Sequence, residues 1–172
     1  MIEIDGDDGS AGIRDMRTRN ILVALMLLLA ASRVSLAAKN PLMGTWKLNE
    51  SKSKYASDSA KNTTVTYNAA KGDMIKCTAD GVDKDGKPIH WTWTGKFDGK
   101  PYPIKGSPAF DTLAYHSMNE RTNETTARKN GKVVMTAVIA VAKDGKSRTV
   151  TLIGTDAKGK KFTDRTYYDK QP

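Results

Sequence analysis

Short turn motifs at regular intervals are the feature of this sequence that most constrains its fold. Asp-Gly and Asn-Gly pairs suit tight β-hairpins, because the turn requires positive φ, which Gly adopts freely and Asn or Asp tolerate. Most of the motifs recur at about 13–14 residues, which is typical of an antiparallel meander rather than of βαβ units. They are Asp85-Gly86-Lys87, Asp98-Gly99-Lys100, Asn130-Gly131-Lys132 and Asp144-Gly145-Lys146, with a looser fifth copy at Lys158-Gly159-Lys160.

Between these turns lie runs of residues that favour strands. In one of them Ile89, Trp91 and Trp93 alternate with polar residues, so the three are expected on one face. Val133–Val141 is apolar on both faces except at Thr136, which predicts a strand covered on each side. Asn49–Lys61 is polar and leaves room for a turn or two of helix. The ten predicted strands are Met43–Leu48, Thr63–Asn68, Met74–Val82, Ile89–Phe97, Pro101–Lys105, Thr112–Met118, Thr122–Arg128, Val133–Val141, Arg148–Gly154 and Lys161–Asp169.

Ten short antiparallel strands must protect the edges of their sheet, and closure into a barrel removes those edges. The predicted fold is therefore all-β, a single antiparallel up-and-down β-barrel of about ten strands. A two-sheet β-sandwich is the alternative.

The N-terminal region predicts export. Basic residues after Met16 precede eleven apolar residues, Ile21 to Ala31, and Ser35-Leu36-Ala37 supplies small residues for cleavage. The apolar run is too short for a membrane anchor, since a spanning helix needs about 20 residues. We expect residues 1–15 to be a start-site artefact, 16–37 a signal peptide and 38–172 the β-barrel domain, periplasmic or secreted after cleavage.

Charge and composition narrow the function classes. The net charge is +9, but the lysines are scattered singly and export removes the chain from nucleic acid, so no nucleic-acid partner is expected. His90 and His116 are the two histidines, and neither lies at ligand spacing from a second metal-binding residue. The single cysteine, Cys77, is interpreted as a small core residue. We expect no metal, no cofactor and no catalytic constellation.

Both ends of the barrel domain carry a family resemblance. Gly44-Thr45-Trp46-Lys47-Leu48 resembles the first strand of the calycin barrels, the lipocalins and fatty-acid-binding proteins, which share Gly-x-Trp there. Arg165 and Tyr167 near the C-terminus resemble the Arg-x-Tyr pair that holds the ligand's carboxylate in many fatty-acid-binding proteins. Asn49 to Asn62 is too short for the two-helix lid of those proteins. The whole chain is similar to small secreted bacterial lipocalin-like proteins of unassigned function.

The resemblance implies a small hydrophobic or amphiphilic ligand, such as a fatty acid, inside the barrel. Trp91, Trp93, Tyr115, Arg165 and Tyr167 are its candidate contacts. The alternative interpretation of Arg165 is a structural latch, in which it stacks on Trp46 beside Gly44 and closes the barrel. The alternative function is a solidly packed barrel that serves as an envelope interaction or inhibitor module. An interior cavity of about 300 Å³ or more would favour the carrier.

Overall fold

A computed structural model describes residues 40–56, 60–155 and 159–172 of the chain. The predicted start-site artefact and signal peptide lie outside these residues. Within the described part of the chain, no helix is long and apolar enough to cross a membrane.

Ten antiparallel strands close into a single up-and-down barrel, as the turn spacing predicted, and the sandwich alternative is wrong. Each strand pairs with its neighbours in sequence, and β1 closes the barrel against β10. The strands are β1 (Gly44–Lys54), β2 (Lys61–Ala70), β3 (Met74–Val82), β4 (Pro88–Gly95), β5 (Asp98–Lys105), β6 (Thr112–Asn119), β7 (Thr122–Lys129), β8 (Lys132–Val141), β9 (Ser147–Thr155) and β10 (Lys161–Lys170).

Three connections follow their predicted turn chemistry. Asp85-Gly86 lies in the connection between β3 and β4, with Gly86 at φ 79°. Asn130 and Gly131 both have positive φ, 50° and 76°, as a two-residue turn between β7 and β8 requires. Asp144-Gly145 connects β8 to β9, with Gly145 at φ 69°. The prediction for Asp98-Gly99 is wrong: these residues lie inside β5, where the register against β6 shifts between Asp98 and Pro101. Positive φ at Gly99 therefore serves a bulge instead of a hairpin.

The segment after Trp46 also differs from its prediction. β1 continues through the polar residues to Lys54, so no helical turn forms between Asn49 and Ala56. The register against β10 is irregular between Asn49 and Lys54. Ser53 bridges the irregular stretch: its hydroxyl donates to the Asn49 carbonyl at 2.7 Å and accepts from the Tyr167 N–H at 3.0 Å. Side-chain hydrogen bonds thus replace the regular ladder here, which composition alone does not reveal.

Strand alternation places large aromatic side chains inside one end of the barrel, which we call the packed end. Trp93 is central there: its ring centroid lies 4.6 Å from that of Tyr115, 5.9 Å from Tyr102 and 6.1 Å from Phe97. Its Nε1 donates to the Leu113 carbonyl at 2.8 Å, which satisfies the one polar atom of the buried ring. The packed end is therefore filled by interlocking aromatic side chains.

The outer face of β8 corrects a further prediction. Val133 and Val138 are 54% and 41% exposed, so the described residues do not cover this strand on both sides. Its inward positions, including Ala137, Ile139 and Val141, are buried as the alternation requires.

Candidate ligand-binding cavity

We call the end of the barrel opposite the packed end the open end. It holds a cavity of about 920 Å³. This volume lies at the upper end of the range for small-molecule sites in proteins. The mouth is formed by residues beyond β1, the β3–β4 turn, the β5–β6 loop and the start of β10. Most of the wall is apolar and includes Val65, Ile89, Trp91, Leu113, Ile139 and Leu152.

Arg148 lies at the deep limit of this cavity. It pairs with Val141 on β8 and Tyr168 on β10, next to the turn that ends the barrel, and is 2% exposed. Three aromatic rings surround its guanidinium: the carbon lies 4.6 Å from the ring centroid of Tyr168, 5.0 Å from Trp46 and 5.3 Å from Tyr67. The electron-rich ring faces stabilise the charge and hold the side chain in place.

Aromatic contacts do not replace the hydrogen bonds that the guanidinium loses on burial. Nε and Nη1 of Arg148 are buried and have no hydrogen-bond partner among the described residues. No carboxylate of those residues forms an ion pair with Arg148 either. A buried charge without a counter-ion is costly, and an anion entering the cavity would reduce that cost.

Tyrosine hydroxyls accompany Arg148 in the deep part of the cavity. The hydroxyls of Tyr67 and Tyr115 lie 3.1 Å apart, and that of Tyr115 lies 3.9 Å from the Cys77 thiol. Burial raises the pKa of both tyrosines well above the usual value and that of Cys77 to about 11, against the opposing effect of the Arg148 charge. All three groups are therefore neutral at physiological pH, and Arg148 provides the charge of this region.

Near the mouth, polar groups meet at the start of β10. Asp164 is 4% exposed and accepts a hydrogen bond from the Ala56 N–H at 2.7 Å through Oδ1. The Asn62 side chain accepts from Trp91 Nε1 at 3.1 Å, and its backbone carbonyl accepts from the Tyr168 hydroxyl at 2.9 Å. These bonds fix the entrance to the cavity.

The structure places the predicted ligand contacts in three different surroundings. Trp91 and Tyr115 line the cavity. Trp93 is buried in the packed end and does not line it. Arg165 and Tyr167 do not line it either: Arg165 is exposed, and its guanidinium lies 5.6 Å from the Tyr167 ring. The reason is alternation, since Asp164, Thr166 and Tyr168 are the buried residues of β10 and the residues between them face outward.

The contact predicted between Arg165 and Trp46 is made instead by Arg148, on the neighbouring strand. Trp46 is fully buried, donates from Nε1 to the Leu42 carbonyl at 2.7 Å, and also has Lys170 Nζ 5.0 Å from its ring. Gly44 adopts φ 106°, and a Cβ there would lie 3.1 Å from the Lys170 side chain. One sequence signal could have identified Arg148: it shares its face of the predicted strand with Val150 and Leu152.

In the described part of the chain, no group of three or more His, Cys, Asp or Glu residues is arranged to hold a metal ion. The polar side chains that line the cavity are Arg148, the tyrosines, Thr125, Asn62 and, around the mouth, Asp83, Lys84, Ser107, Thr155, Lys160, Lys161, Thr163 and Asp164.

No protein-family model matches the chain, and no curated protein matches it. Among solved structures, the chain is similar to a redesigned β-barrel, mFAP1, bound to DFHBI, at 13% sequence identity and a TM-score of 0.42. That alignment covers 76% of this chain and 95% of the other.

Proposed function

We propose that this protein is an exported carrier that holds a small amphiphile with an anionic head inside its barrel. The observation that carries the proposal is a cavity of about 920 Å³ with a buried arginine at its deep limit, two of whose nitrogens have no hydrogen-bond partner among the described residues. Export rests on the sequence of residues 16–37, and N-terminal sequencing of the secreted product tests it.

The interior volume supports the carrier over the packed interaction module. A barrel that acts only through its loops needs no internal space, whereas 920 Å³ is enough for a drug-sized or lipid-sized ligand. Apolar wall residues bury the ligand's hydrocarbon portion, which provides most of the binding free energy.

The position of Arg148 sets the ligand's orientation. Because this charge lies at the deep limit and the apolar wall lies between it and the mouth, the anionic head enters first and the hydrocarbon follows. Bonds from a guanidinium to a carboxylate, sulfate or phosphate are charge-assisted and stronger than neutral ones. The Tyr67 and Tyr115 hydroxyls lie close enough to the same site to add further bonds.

Titration of the purified barrel domain with dodecanoate and with dodecanol tests this function. Trp91 lines the cavity and Trp46 contacts Arg148, so tryptophan fluorescence should report binding. We expect saturable binding of both probes, with dodecanoate the tighter. No saturable change with either probe, and no lipid in the native mass spectrum of the purified protein, would refute the carrier function.

Replacement of Arg148 separates the head contact from the apolar contacts. We expect Arg148→Met to weaken dodecanoate binding by about tenfold to hundredfold, the range for loss of a hydrogen bond to a charged group. Dodecanol should keep its affinity within about threefold, because it does not require the charge. Circular dichroism of the variant checks that the barrel is intact. Equal losses for both probes would show that Arg148 is purely a structural latch.

A further inference from the structure

The geometry points to a second polar subsite at Asp164, which selects amphiphiles that carry a hydrogen-bond donor or a cationic group at the end opposite their anionic head. This inference rests on the proposed function, because it assigns the far end of the same ligand. The ligand class is therefore bifunctional: an anion at one end, a hydrocarbon spacer, and an ammonium or hydroxyl group at the other.

Strand register gives the separation of the two subsites. Arg148 pairs with Tyr168, and Leu152 pairs with Asp164, so the two charged residues lie four residue pairs apart on adjacent strands. At the usual rise of a strand this is about 13 Å along the β9–β10 pair. Both side chains line the cavity, and the inward residues between them include Val150 and Thr166. A chain of matching length would thus contact opposite charges at its two ends.

Asp164 has acceptor capacity that the protein does not use. An ionised carboxylate accepts about four hydrogen bonds, and the described residues supply one, from the Ala56 N–H to Oδ1. The side chain forms no ion pair with any described lysine or arginine. With 4% exposure it has also lost most of its access to water. A carboxylate in this state gains from a donor on the ligand, as Arg148 gains from an anion.

The lysines at the mouth do not replace such a donor. Lys84 forms an ion pair with Asp85 at 2.6 Å, and Lys160 and Lys161 are exposed. Their charges act mainly across solvent, where the attraction or repulsion of a ligand is weak. Asp164 is the more enclosed group and therefore dominates the preference for the ligand's outer end.

The experiment compares dodecanoic acid with its ω-amino and ω-hydroxy derivatives in the unaltered protein and in Asp164→Asn. The amide keeps an acceptor for the Ala56 N–H but removes the charge, so the variant should fold normally, which a thermal melt checks. The quantity measured is the affinity of each derivative divided by that of the plain acid, since this ratio cancels effects common to both ligands. We expect Asp164→Asn to lower the ratio about tenfold for the ω-amino acid and less for the ω-hydroxy acid.

A chain-length series in the unaltered protein tests the subsite without any substitution. The ratio for ω-amino acids should be highest at the length that spans the two charges and lower for octanoic and hexadecanoic derivatives. The subsite would be overturned if plain dodecanoate binds but two results are found together: the ratio is the same in Asp164→Asn as in the unaltered protein, and it shows no maximum with the chain length of the ω-amino acid. If neither the plain acid nor its derivatives bind, the carrier function fails and the subsite fails with it.

Discussion

The packed end and the open end of this barrel are built by the same strands with the same alternation, yet one is solid and the other holds a large cavity. At the packed end the inward positions carry large rings, such as Trp46, Trp93 and Tyr115. The open end also carries rings, namely Trp91, Phe110 and Phe162, but its lining includes small residues such as Ala60, Ala109 and Ala137, which leave space between them. The backbone sets the diameter of a barrel, and side-chain volume then decides where it is filled.

Buried polar groups differ between the two ends as well, apart from Asn123, whose side-chain oxygen is buried near the β6–β7 turn of the packed end without a hydrogen-bond partner among the described residues. The buried indole nitrogens of Trp46 and Trp93 at the packed end both donate to backbone carbonyls. Arg148 and Asp164, which line the cavity, have unused hydrogen-bonding capacity within the described residues. Because buried polar groups are normally satisfied, the unused capacity at the cavity supports the proposed binding of a ligand there. The packed end thus contributes stability, and the proposed binding site lies at the open end.

Truncation of one tryptophan from each end gives the largest expected effect. Trp93→Ala should lower the free energy of unfolding by about 3–5 kcal/mol, because it leaves an enclosed void and an unpaired Leu113 carbonyl. Trp91→Ala should lower it by about 1–2 kcal/mol, since the ring already borders open space. Chemical denaturation of both variants measures the difference. Equal losses would remove the distinction between the two ends.

The affinity for dodecanoate should rank the same two variants in the opposite order, with Trp91→Ala losing more than Trp93→Ala. Trp91→Ala removes part of the cavity wall and should weaken dodecanoate binding, whereas Trp93→Ala should leave the affinity of the folded fraction largely unchanged. Isothermal titration at a temperature where both variants are folded provides this control.

Most of the fold could be predicted from the sequence, because hairpin turns and alternation are local signals. Asn130-Gly131 and Asp144-Gly145 gave both the turns and the approximate strand ends. The failures occurred where long-range bonds override local composition. The stretch up to Lys54 is extended because Ser53 and Asp164 bond across β1 and β10, and Asp98-Gly99 forms a bulge against β6.

The site was harder to predict because a shift of one residue in a strand reverses the face. The family resemblance predicts Arg165 as a ligand contact, whereas Asp164 and Thr166 are the buried residues on either side of it. Arg148 and Asp164 carry no motif, and their importance depends on missing partners, which only a three-dimensional structure reveals. Trp91 and Tyr115, two of the predicted ligand contacts, line the cavity, but the sequence could not separate residues of the cavity wall from residues of the packed core.

Alkaline pH should lower the free energy of unfolding through ionisation of the buried Cys77 thiol. Burial raises its pKa from 9.0 to about 11, so the unfolded chain loses this proton before the folded protein does. The contribution of the protonated thiol to the free energy of unfolding is complete below pH 9 and is lost as the pH rises through 11. The free energy of unfolding should fall by about 2–3 kcal/mol over this range. Urea denaturation of the protein and of Cys77→Ala across this range isolates the effect, because the other titrating groups are common to both. A pH-independent difference between the two proteins would show that the thiol is solvated.

Adding volume at a filled inward position and at a cavity-lining position gives the smallest effect, and it tests directly whether side-chain volume decides where the barrel is filled. Ala79 has no exposed surface and lies outside the lining of the cavity, whereas Ala137 lines it. Ala79→Leu should therefore lower the free energy of unfolding by about 1–3 kcal/mol, since a close-packed interior cannot accept the added carbons without strain. Ala137→Leu adds the same carbons to empty space and should change stability by less than about 1 kcal/mol.

The affinity for dodecanoate should distinguish the same two variants in the opposite order, with Ala137→Leu the more affected. The leucine at position 137 occupies part of the ligand's volume, so dodecanoate affinity should fall by at least about tenfold, while Ala79→Leu should leave it nearly unchanged. Denaturation and fluorescence titration of each variant supply both quantities. Strong destabilisation by Ala137→Leu would mean that the open end closes around its own side chains in solution, and a barrel closed in that way could not be a carrier.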